Sequence, residues 1–286
     1  MTGRAVFIFV WLLLSAVSAR ADAAFDRWLQ SVWPDAQALG VSRATFDAAV
    51  RGLEPDYSLP DLAIPGKPEK QPQQPEFVQT PTQYLREAAF QAFTSRGKEL
   101  AAQYRDTLAR IEREIGVPGN ILLAIWARES GFSREFRGQD AIRVLATQAY
   151  LGKRKDFFRN EFLHALKILQ DGVPRADMRS SWGGAMGLTQ FLPSEFYKYA
   201  VDFDGNGRVD IWRSVPDALA SAAKQLVGKG WRTGEPWAIE VHAPANADCS
   251  IGVPPTDPCE VPLPSDPSAE IGNATRSPSM PTTYRC

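Results

Sequence analysis

A glutamate at the end of an apolar segment is the first residue whose type and position could support catalysis. In the segment PGNILLAIWARESGF, Glu129 follows Ile125 by four residues and Trp126 by three, which places it on or beside the buried face of a helix. Gly131 is typical of a residue that ends a helix. The negative end of the helix dipole and partial burial both disfavour a charged carboxylate, so the sequence predicts a raised pKa, as a general acid requires. The alternative is a glutamate at a helix edge that pairs with a neighbouring arginine.

The acidic segment DFDGNGRVD at residues 202–210 is the second group that could do chemistry. Oxygen-bearing side chains fall at positions 1, 3 and 5 and a glycine at position 6, as at the start of an EF-hand loop: Asp202, Asp204 and Asn206. Position 12 is Arg213, so the closing carboxylate has to come from Asp217. Hard oxygen ligands of this kind predict a structural Ca²⁺ ion, and the alternative is a polar turn capped by Asp217.

Composition and charge exclude some classes of protein. The chain has 286 residues, of which 44% are hydrophobic and 23% charged, as is typical of a globular protein with one large or two small domains. Its net charge of −1 lacks the basic excess of most nucleic-acid-binding proteins. Beyond the first residues, no stretch is apolar enough to suggest a membrane span in the mature chain. We therefore expect a globular protein whose partner is not a nucleic acid.

The first residues have the three parts of a secretory signal peptide. Arg4 supplies a positive charge, residues 5–17 are apolar, and Ala21 and Ala23 fit the small-residue pattern of a cleavage site. We expect residues 1–23 to be removed and the mature chain to be exported to the periplasm. The alternative is an uncleaved membrane anchor, for which the apolar run is short.

Helical periodicity predicts a mainly α fold with irregular loops. Ser95 is expected to begin one long helix that ends at Gly116. The apolar face of this helix repeats at steps of three and four residues, at Leu100, Tyr104, Leu108, Ile111 and Ile115. Two short helices are expected within residues 25–52, and further helical segments within 139–170 and 215–229.

Two proline-rich segments divide the chain. Residues 59–82 predict an extended connector. From residue 243 onward, Pro, Ser, Asp and Thr dominate and periodicity disappears, so residues 243–286 are expected to form a poorly ordered tail. An oxidising compartment would permit a disulfide between Cys249 and Cys259 in this tail. The catalytic domain is accordingly expected to span residues 24–242.

Three motifs together resemble those of the lytic murein transglycosylase B family, glycoside hydrolase family 103. They are IWARESGF, which contains Glu129, then GGAMGLTQFLPS, and then VDFDGNGRVDIWRSVPDALAS. The resemblance runs from about residue 76 to residue 241, with the motifs in the family's order and spacing. It implies a lysozyme-like, mostly helical transglycosylase fold with a glycan-binding groove and an EF-hand-like loop.

The resemblance also implies roles for individual residues. Glu129 occupies the position of the family's catalytic acid, and Ser181 and Gln190 occupy those of two substrate-facing residues. Lys153 and Arg154 match a basic pair that contacts the substrate, although the family usually has two arginines and lysine cannot form arginine's paired hydrogen bonds. The alternatives are that Ser181 and Gln190 only satisfy backbone groups of their loop, and that the basic pair is a solvated turn.

In the acidic segment, the resemblance implies a lengthened calcium loop. Arg208 would contribute its main-chain carbonyl, and Asp217 would open the next helix. The ion would be structural, because the family's reaction needs no metal. Tyr150, Trp182 and Trp212 are either sugar-stacking residues or core aromatics.

The reaction implied is cleavage of the MurNAc–GlcNAc β-1,4 bond of peptidoglycan glycan strands, with formation of 1,6-anhydro-MurNAc. One carboxylate serves as acid and then as base, whereas ordinary glycosidases use two. The unusual C-terminal part leaves open an alternative, a catalytically impaired peptidoglycan-binding module. A second alternative is a true muramidase, for which Asp140, Asp156 and Glu161 are the candidate second acids.

Overall fold

The computed structural model describes residues 23–64, 66, 87–133 and 138–236. The expected signal peptide up to residue 22, most of the proline-rich connector, and the expected tail with its cysteines lie outside the described residues. The chain divides into two compact units, Met1–Trp231 and Arg232–Cys286. In the second unit, the guanidinium of Arg232 lies 3.3 Å from the carboxylate of Glu235.

Helices dominate the described residues of the first unit, as the sequence predicts. A first helix, α1, includes residues 23–31. The helices after it, in chain order, are α2 (Trp33–Ala38), α3 (Arg43–Val50), α4 (Glu87–Gln103), α5 (Arg105–Ile115), α6 (Gly119–Ser130), α7 (Ala141–Leu151), α8 (Lys155–Gln170), α9 (Pro193–Tyr199) and α10 (Val215–Gly228). Two short strands, β1 (Gln139–Asp140) and β2 (Arg179–Ser180), pair antiparallel.

The first hydrophobic core lies between the N-terminal helices and the long pair α7 and α8. Phe46 of α3, Leu145 of α7 and Phe162 of α8 are completely buried in it. Almost every residue of α7 is buried, which explains why its sequence AIRVLATQAYL carries a single charge. Ser42 caps α3 by accepting a hydrogen bond from the backbone N–H of Thr45.

The second hydrophobic core lies among α4, α5, α6 and α10. Ile111, Leu122 and Leu219 are completely buried there. Gly119 allows α6 to approach α5 closely, because a β carbon at this position would lie 2.9 Å from Cβ of Leu108. The apolar face of α6 is therefore held firmly against α5. The exposed polar residues of α6 lie on the opposite face.

Two predictions about the helices are wrong in detail. Ser95 lies inside α4 instead of beginning a helix, and the chain leaves helical geometry at Tyr104, where φ is −106°. A serine costs a helix interior little, so it marks a helix start only where the surroundings also leave the helix. Residues 25–52 contain α1, α2 and α3 instead of two helices, because the chain turns between residues 31 and 33.

The buried face of α6 is also rotated relative to the predicted one. The sequence pattern predicts burial of Ile121, Leu122, Ile125 and Trp126. The structure buries Leu122, Leu123, Trp126 and Ala127, and leaves Ile121 and Ile125 half-buried. Nearly every residue in this helix is apolar, so periodicity has no contrast from which to choose the face.

Candidate active site

Glu129 lies in the last turn of α6, beside the buried face. Trp126, Ala127 and Ser130 are buried, whereas Glu129 itself is exposed. Gly131 ends the helix as predicted, with a φ of 58° and its N–H donating to the carbonyls of Ala127 and Trp126. The helix end therefore presents a carboxyl group to solvent next to a rigid, buried support.

The carboxyl group of Glu129 is partly dehydrated although the residue as a whole is exposed. This burial raises the pKa of Glu129 above the usual value for glutamate, and the nearby positive charge of Arg128 lowers the pKa only in part. Among the described residues, the carboxyl has no hydrogen-bond or ion-pair partner. A carboxyl whose pKa is raised, and whose proton has no acceptor among the described residues, is suited to donate that proton to a bound molecule.

A left-handed turn follows Glu129 directly. Gly131, Phe132 and Ser133 have φ values of 58°, 56° and 62°. A non-glycine residue in this region costs about 1–3 kcal/mol, so packing must maintain the conformation. The ring of Phe132 is buried and packs edge-on against Trp126, with centroids 5.4 Å apart. The turn thus redirects the chain sharply after the candidate acid.

Two serines connect the end of α6 to the glycine-rich segment, which consists of residues 181–191. Ser130 Oγ donates to the carbonyl oxygen of Leu188 over 2.7 Å. Ser133 Oγ lies 3.2 Å from Ser130 Oγ and accepts a hydrogen bond of 3.1 Å from Nε1 of Trp126. The sequence analysis missed both serines. A polar residue four positions after a buried tryptophan was the available signal, because buried hydroxyls need partners.

Two glycines of the glycine-rich segment, residues 181–191, are required by conformation and by packing. Gly184 has a φ of 84°, and a β carbon there would lie 2.2 Å from Cδ2 of Leu145 in the first core. Gly187 has a φ of 76°, and a β carbon there would lie 2.8 Å from the carbonyl oxygen of Ile211 in the second core. The segment is therefore held between the two cores.

Ser181 and Gln190 both form hydrogen bonds within this segment. Ser181 Oγ accepts from the N–H of Ala185 over 3.3 Å, and Gln190 Nε2 donates to the carbonyl oxygen of Gly187 over 3.0 Å. They thus fill the backbone-satisfying role named as the alternative. The Ser181 hydroxyl hydrogen and Gln190 Oε1 have no partner among the described residues, so contact with a substrate stays a prediction.

Lys153 and Arg154 lie between α7 and α8, as predicted for the basic turn. The ammonium of Lys153 lies 3.7 Å from the carboxylate of Asp61. The guanidinium of Arg154 lies over the rings of Phe157 and Phe158, at 5.0 and 5.1 Å from their centroids. Both cations therefore have partners within the protein, and their contact with a substrate stays a prediction.

The candidate second acids take part in structural contacts or lie on the surface. Asp140 pairs with Arg175 at 2.7 Å and caps α7. Glu161 is 2% exposed and accepts hydrogen bonds from the backbone N–H and the hydroxyl of Ser194, at 2.9 and 2.7 Å. Asp156 is exposed in the first turn of α8. Asp140 and Glu161 are therefore held in place by internal partners.

A cavity of about 260 Å³ opens beside the turn that follows α6. Its wall includes Ser133 and Leu188, which both contact Ser130. The wall also includes Arg179, Arg213 and Trp212. Charged and aromatic groups converging on a concave surface are typical of a ligand site.

The three aromatic residues that the sequence left open have different positions. Tyr150 packs in the first core, with its ring centroid 5.2 Å from that of Phe25. Trp182 is half-buried against a small cluster that includes Leu59. Trp212 is half-buried and lines the cavity. Tyr150 is thus a core aromatic, whereas Trp212 faces a space that a ligand could fill.

The acidic segment forms a loop whose oxygens converge. Carboxylate oxygens of Asp202, Asp204 and Asp217 lie within 4.8 Å of one another. Asn206 Oδ1 accepts a hydrogen bond of 2.9 Å from the N–H of Arg208, so these residues also lie in the same turn. This set of hard oxygen donors fits a calcium ion.

Asp217 already holds the loop through its own hydrogen bonds. It is completely buried, and it accepts from the N–H groups of Phe203, Asp204 and Asp210 at 2.8, 3.1 and 2.9 Å. The cap of α10 is Ser214, whose hydroxyl accepts from the N–H of Asp217. Asp217 thus caps the polar turn, as the alternative expects, while Ser214 caps the helix, and the calcium ion stays a prediction.

The profile of the protein family described as Transglycosylase SLT domain matches residues 24–259. This chain belongs to that family. The membership confirms the resemblance drawn from the three motifs, and the mostly helical fold matches lysozyme-like lytic transglycosylase structures. In this member of the transglycosylase SLT domain family, Glu129 lies at the end of α6. The hydroxyls of Ser130 and Ser133 support that end of the helix.

Several relatives of this transglycosylase SLT domain are known. Membrane-bound lytic murein transglycosylase B of Escherichia coli (strain K12) is 32% identical over 145 residues, which are 50% of this chain and 40% of that protein. SltB3 from Pseudomonas aeruginosa, solved with NAG-NAM-pentapeptide, has a TM-score of 0.66 and 38% identity, covering 79% of this chain and 59% of that one. Slt35 of Escherichia coli, solved with calcium, has a TM-score of 0.51 and 29% identity, covering 60% and 53%. The chain thus spans less than two thirds of each relative.

None of the described helices is both long enough and apolar enough to cross a membrane.

Proposed function

We propose that this chain is a lytic transglycosylase that cleaves the MurNAc–GlcNAc β-1,4 bond of peptidoglycan. The observation that carries the proposal is Glu129 at the end of α6, whose carboxyl has a raised pKa and no hydrogen-bond partner among the described residues. Family membership supports the same chemistry. SltB3 was solved with NAG-NAM-pentapeptide and with NAG-anhNAM-pentapeptide, which supports peptidoglycan as the substrate class.

One carboxyl group performs both proton transfers in the proposed reaction. Glu129 gives its proton to the glycosidic oxygen, the bond from that oxygen to C1 of MurNAc breaks, and C1 acquires oxocarbenium character. The Glu129 carboxylate then takes the proton of the C6 hydroxyl of the same sugar, and O6 bonds to C1. The products are 1,6-anhydro-MurNAc and a free GlcNAc hydroxyl, and Glu129 ends the cycle protonated.

The contacts of two of the three candidate second acids favour this route over hydrolysis. Hydrolysis with two carboxylates needs a second group that can activate water. Asp140 and Glu161 instead bind Arg175 and Ser194. We therefore prefer the transglycosylase to the muramidase.

Digestion of purified sacculi followed by mass spectrometry tests the proposal. Wild-type protein should release anhydro-muropeptides. Glu129→Gln should fold normally and lose about 10²–10⁴-fold in rate, because the amide cannot transfer a proton. Glu112→Gln, which changes an exposed glutamate on the neighbouring helix α5, is the matched control and should retain the wild-type rate.

Three results would contradict the assignment. Muropeptides with reducing MurNAc ends, heavier by one water, would show a muramidase. No product from well-folded wild-type protein would show a binding module without activity. A Glu129→Gln variant with nearly the parent rate would move the acid elsewhere.

The same proposal gives substrate-binding roles to four further residues. Ser181 and Gln190 have polar atoms that meet no partner in the described part of the chain, and Lys153 and Arg154 supply positive charge between α7 and α8. Substituting any of them by alanine should raise KM more than it lowers kcat, because they bind the substrate without transferring its protons.

The acidic loop is proposed as a structural calcium site. Its ligands would be Asp202, Asp204, Asn206, the main-chain carbonyl of Arg208, and Asp217. Convergence of three carboxylates supports it, as does the calcium complex of Slt35. An ion that binds only the folded protein raises the melting temperature by mass action, so calcium should raise Tm and chelator should lower it. Identical melting curves in both conditions would reject the site.

Export to the periplasm and a catalytic domain at residues 24–242 complete the proposal. The tripartite pattern of residues 1–23 supports export, and peptidoglycan lies outside the cytoplasm. N-terminal sequencing of the mature protein should find a start close to residue 24. An intact Met1 in protein from the cytoplasm would reject this part.

A further inference from the structure

We propose that the cavity of about 260 Å³ beside α6 binds a free carboxylate of the peptide stem of peptidoglycan, through the guanidinium of Arg179. This inference rests on the proposed function, because it names the part of the substrate that lies beside the cleaved glycan. It adds a binding site for the peptide to the sites proposed for the sugars.

The cavity begins where α6 ends. Ser133 lies in its wall, and Ser133 Oγ is 3.2 Å from the hydroxyl of Ser130, the residue that follows Glu129. Leu188 lies in the same wall and binds Ser130 through its carbonyl. A sugar bound at Glu129 would therefore place its substituents near this cavity.

Among the described residues around the cavity, one cation has no charged partner. Arg213 pairs with Asp177, and both lie in the wall, so these two charges largely cancel. Arg179 also lies in the wall and is exposed, and within the described part of the chain its guanidinium has no ion-pair or hydrogen-bond partner. A planar guanidinium binds a carboxylate through two parallel hydrogen bonds, so a carboxylate is the ligand expected in this cavity.

The backbone of Arg179 is fixed, so its side chain is presented from a defined position. Arg179 lies on β2 opposite Asp140 of β1, and its N–H donates to the carbonyl of Asp177 over 2.7 Å. On another side of the cavity, the Trp212 ring packs against Phe196, with centroids 5.6 Å apart. A fixed indole and a free guanidinium suit an amino-acid residue with a carboxylate better than a neutral sugar.

Calorimetric titration with two ligands tests the inference. The probes are NAG-NAM-pentapeptide and the same ligand with its peptide carboxylates converted to amides, because the disaccharide without peptide would carry a lactyl carboxylate of its own. Wild-type protein should bind the first more tightly. In Arg179→Ala the affinity for the pentapeptide ligand should fall about 3- to 10-fold, as for a partly exposed charged hydrogen bond, and the affinity for the amidated ligand should not change. Added salt should weaken only the pentapeptide ligand's advantage.

Two further variants control for general effects of charge. Arg51→Ala removes an exposed arginine that follows α3 and should leave both affinities unchanged. Arg179→Lys keeps the charge but not the paired hydrogen bonds, and its affinity for the pentapeptide ligand should lie between those of wild type and Arg179→Ala.

The possible failures are distinguishable. If wild-type protein binds both ligands equally, or if Arg179→Ala weakens both ligands or neither, the peptide site is wrong while the proposed function stands. If wild-type protein binds neither ligand, both the peptide site and the proposed function are rejected.

Discussion

The hydroxyl of Ser130 donates a 2.7 Å hydrogen bond to the carbonyl oxygen of Leu188. Ser130 directly follows Glu129, and Leu188 directly follows Gly187 of the glycine-rich segment. One buried contact therefore fixes the distance between the candidate acid and the segment that carries two proposed substrate-binding residues. Catalysis depends on such fixed geometry, because small displacements of a reacting group lower the rate strongly.

We expect Ser130→Ala to destabilise the fold and to slow the reaction. The variant leaves the half-buried carbonyl of Leu188 without its donor, which should cost about 1 kcal/mol in free energy of unfolding. Urea unfolding measures this cost, and a kcat lowered with little change in KM would show that Glu129 has moved. Ser31→Ala removes an exposed hydroxyl that binds Trp28 and should change neither quantity appreciably.

The pH dependence of activity should show the raised pKa of Glu129. The acid form is active, so the rate should fall as pH rises through a value above the ordinary 4.3 or so of glutamate. Arg128→Gln removes the positive charge that lowers this pKa, and it should move the alkaline limb to higher pH. A limb that stays in place in Arg128→Gln would contradict the stated balance of burial and charge.

The same shift predicts a pH-dependent effect on stability. Because folding raises the pKa of Glu129, its contribution is fully present below the ordinary carboxyl pKa and is lost as pH rises through the folded value. Glu129→Gln should therefore raise Tm at neutral pH, where wild type holds a partly dehydrated charge, and leave Tm unchanged near pH 3. A gain in Tm of equal size at both pH values would show that the effect is not electrostatic.

Gly184→Ala should be strongly destabilising. A positive φ costs an alanine about 1–2 kcal/mol, and the clash of its β carbon with Leu145 adds about 1–3 kcal/mol of overpacking. Gly172→Ala is the matched control, since Gly172 has a φ of 96° but no atom within 4 Å of the added carbon. Unfolding free energies of the two variants separate the cost of backbone conformation from the cost of packing. Equal losses would show that Leu145 moves aside freely.

Two aspartates of the acidic loop should behave differently although each accepts three backbone hydrogen bonds. Asp217 is completely buried, so Asp217→Ala should cost at least about 3 kcal/mol even in chelator, because several N–H groups lose their acceptor. The hydrogen bonds of Asp202 lie at the surface, so Asp202→Ala should cost less in chelator and should abolish the stabilisation by calcium. Thermal melts with and without calcium measure both effects.

Sequence reasoning worked best where a residue type is tied to one backbone geometry. Gly116 and Gly131 were expected to end helices, and both do so with a positive φ. It worked less well where the choice depends on contacts distant in sequence. The face of α6 is set by its packing against α5 through Gly119 and Leu108, which no local pattern reveals.

The candidate site was likewise only partly predictable. The motif around Glu129 indicated the acid and the end of its helix. The partners of Ser130 and the free guanidinium of Arg179 were missed, because Leu188 lies 58 residues after Ser130 and Arg179 stands out only when its neighbours are known. Tertiary contacts, and not local propensity, decide which polar residues share a site.

Met186 belongs to the first core and Phe191 to the second, and two backbone hydrogen bonds of 2.8 and 2.7 Å join them. An inserted or deleted residue between them would shift one side chain out of its core. During evolution this stretch should therefore keep its length as well as its glycine at position 187. Relatives should keep the spacing of these two positions, and insertions should accumulate at open turns such as the one at Gly172.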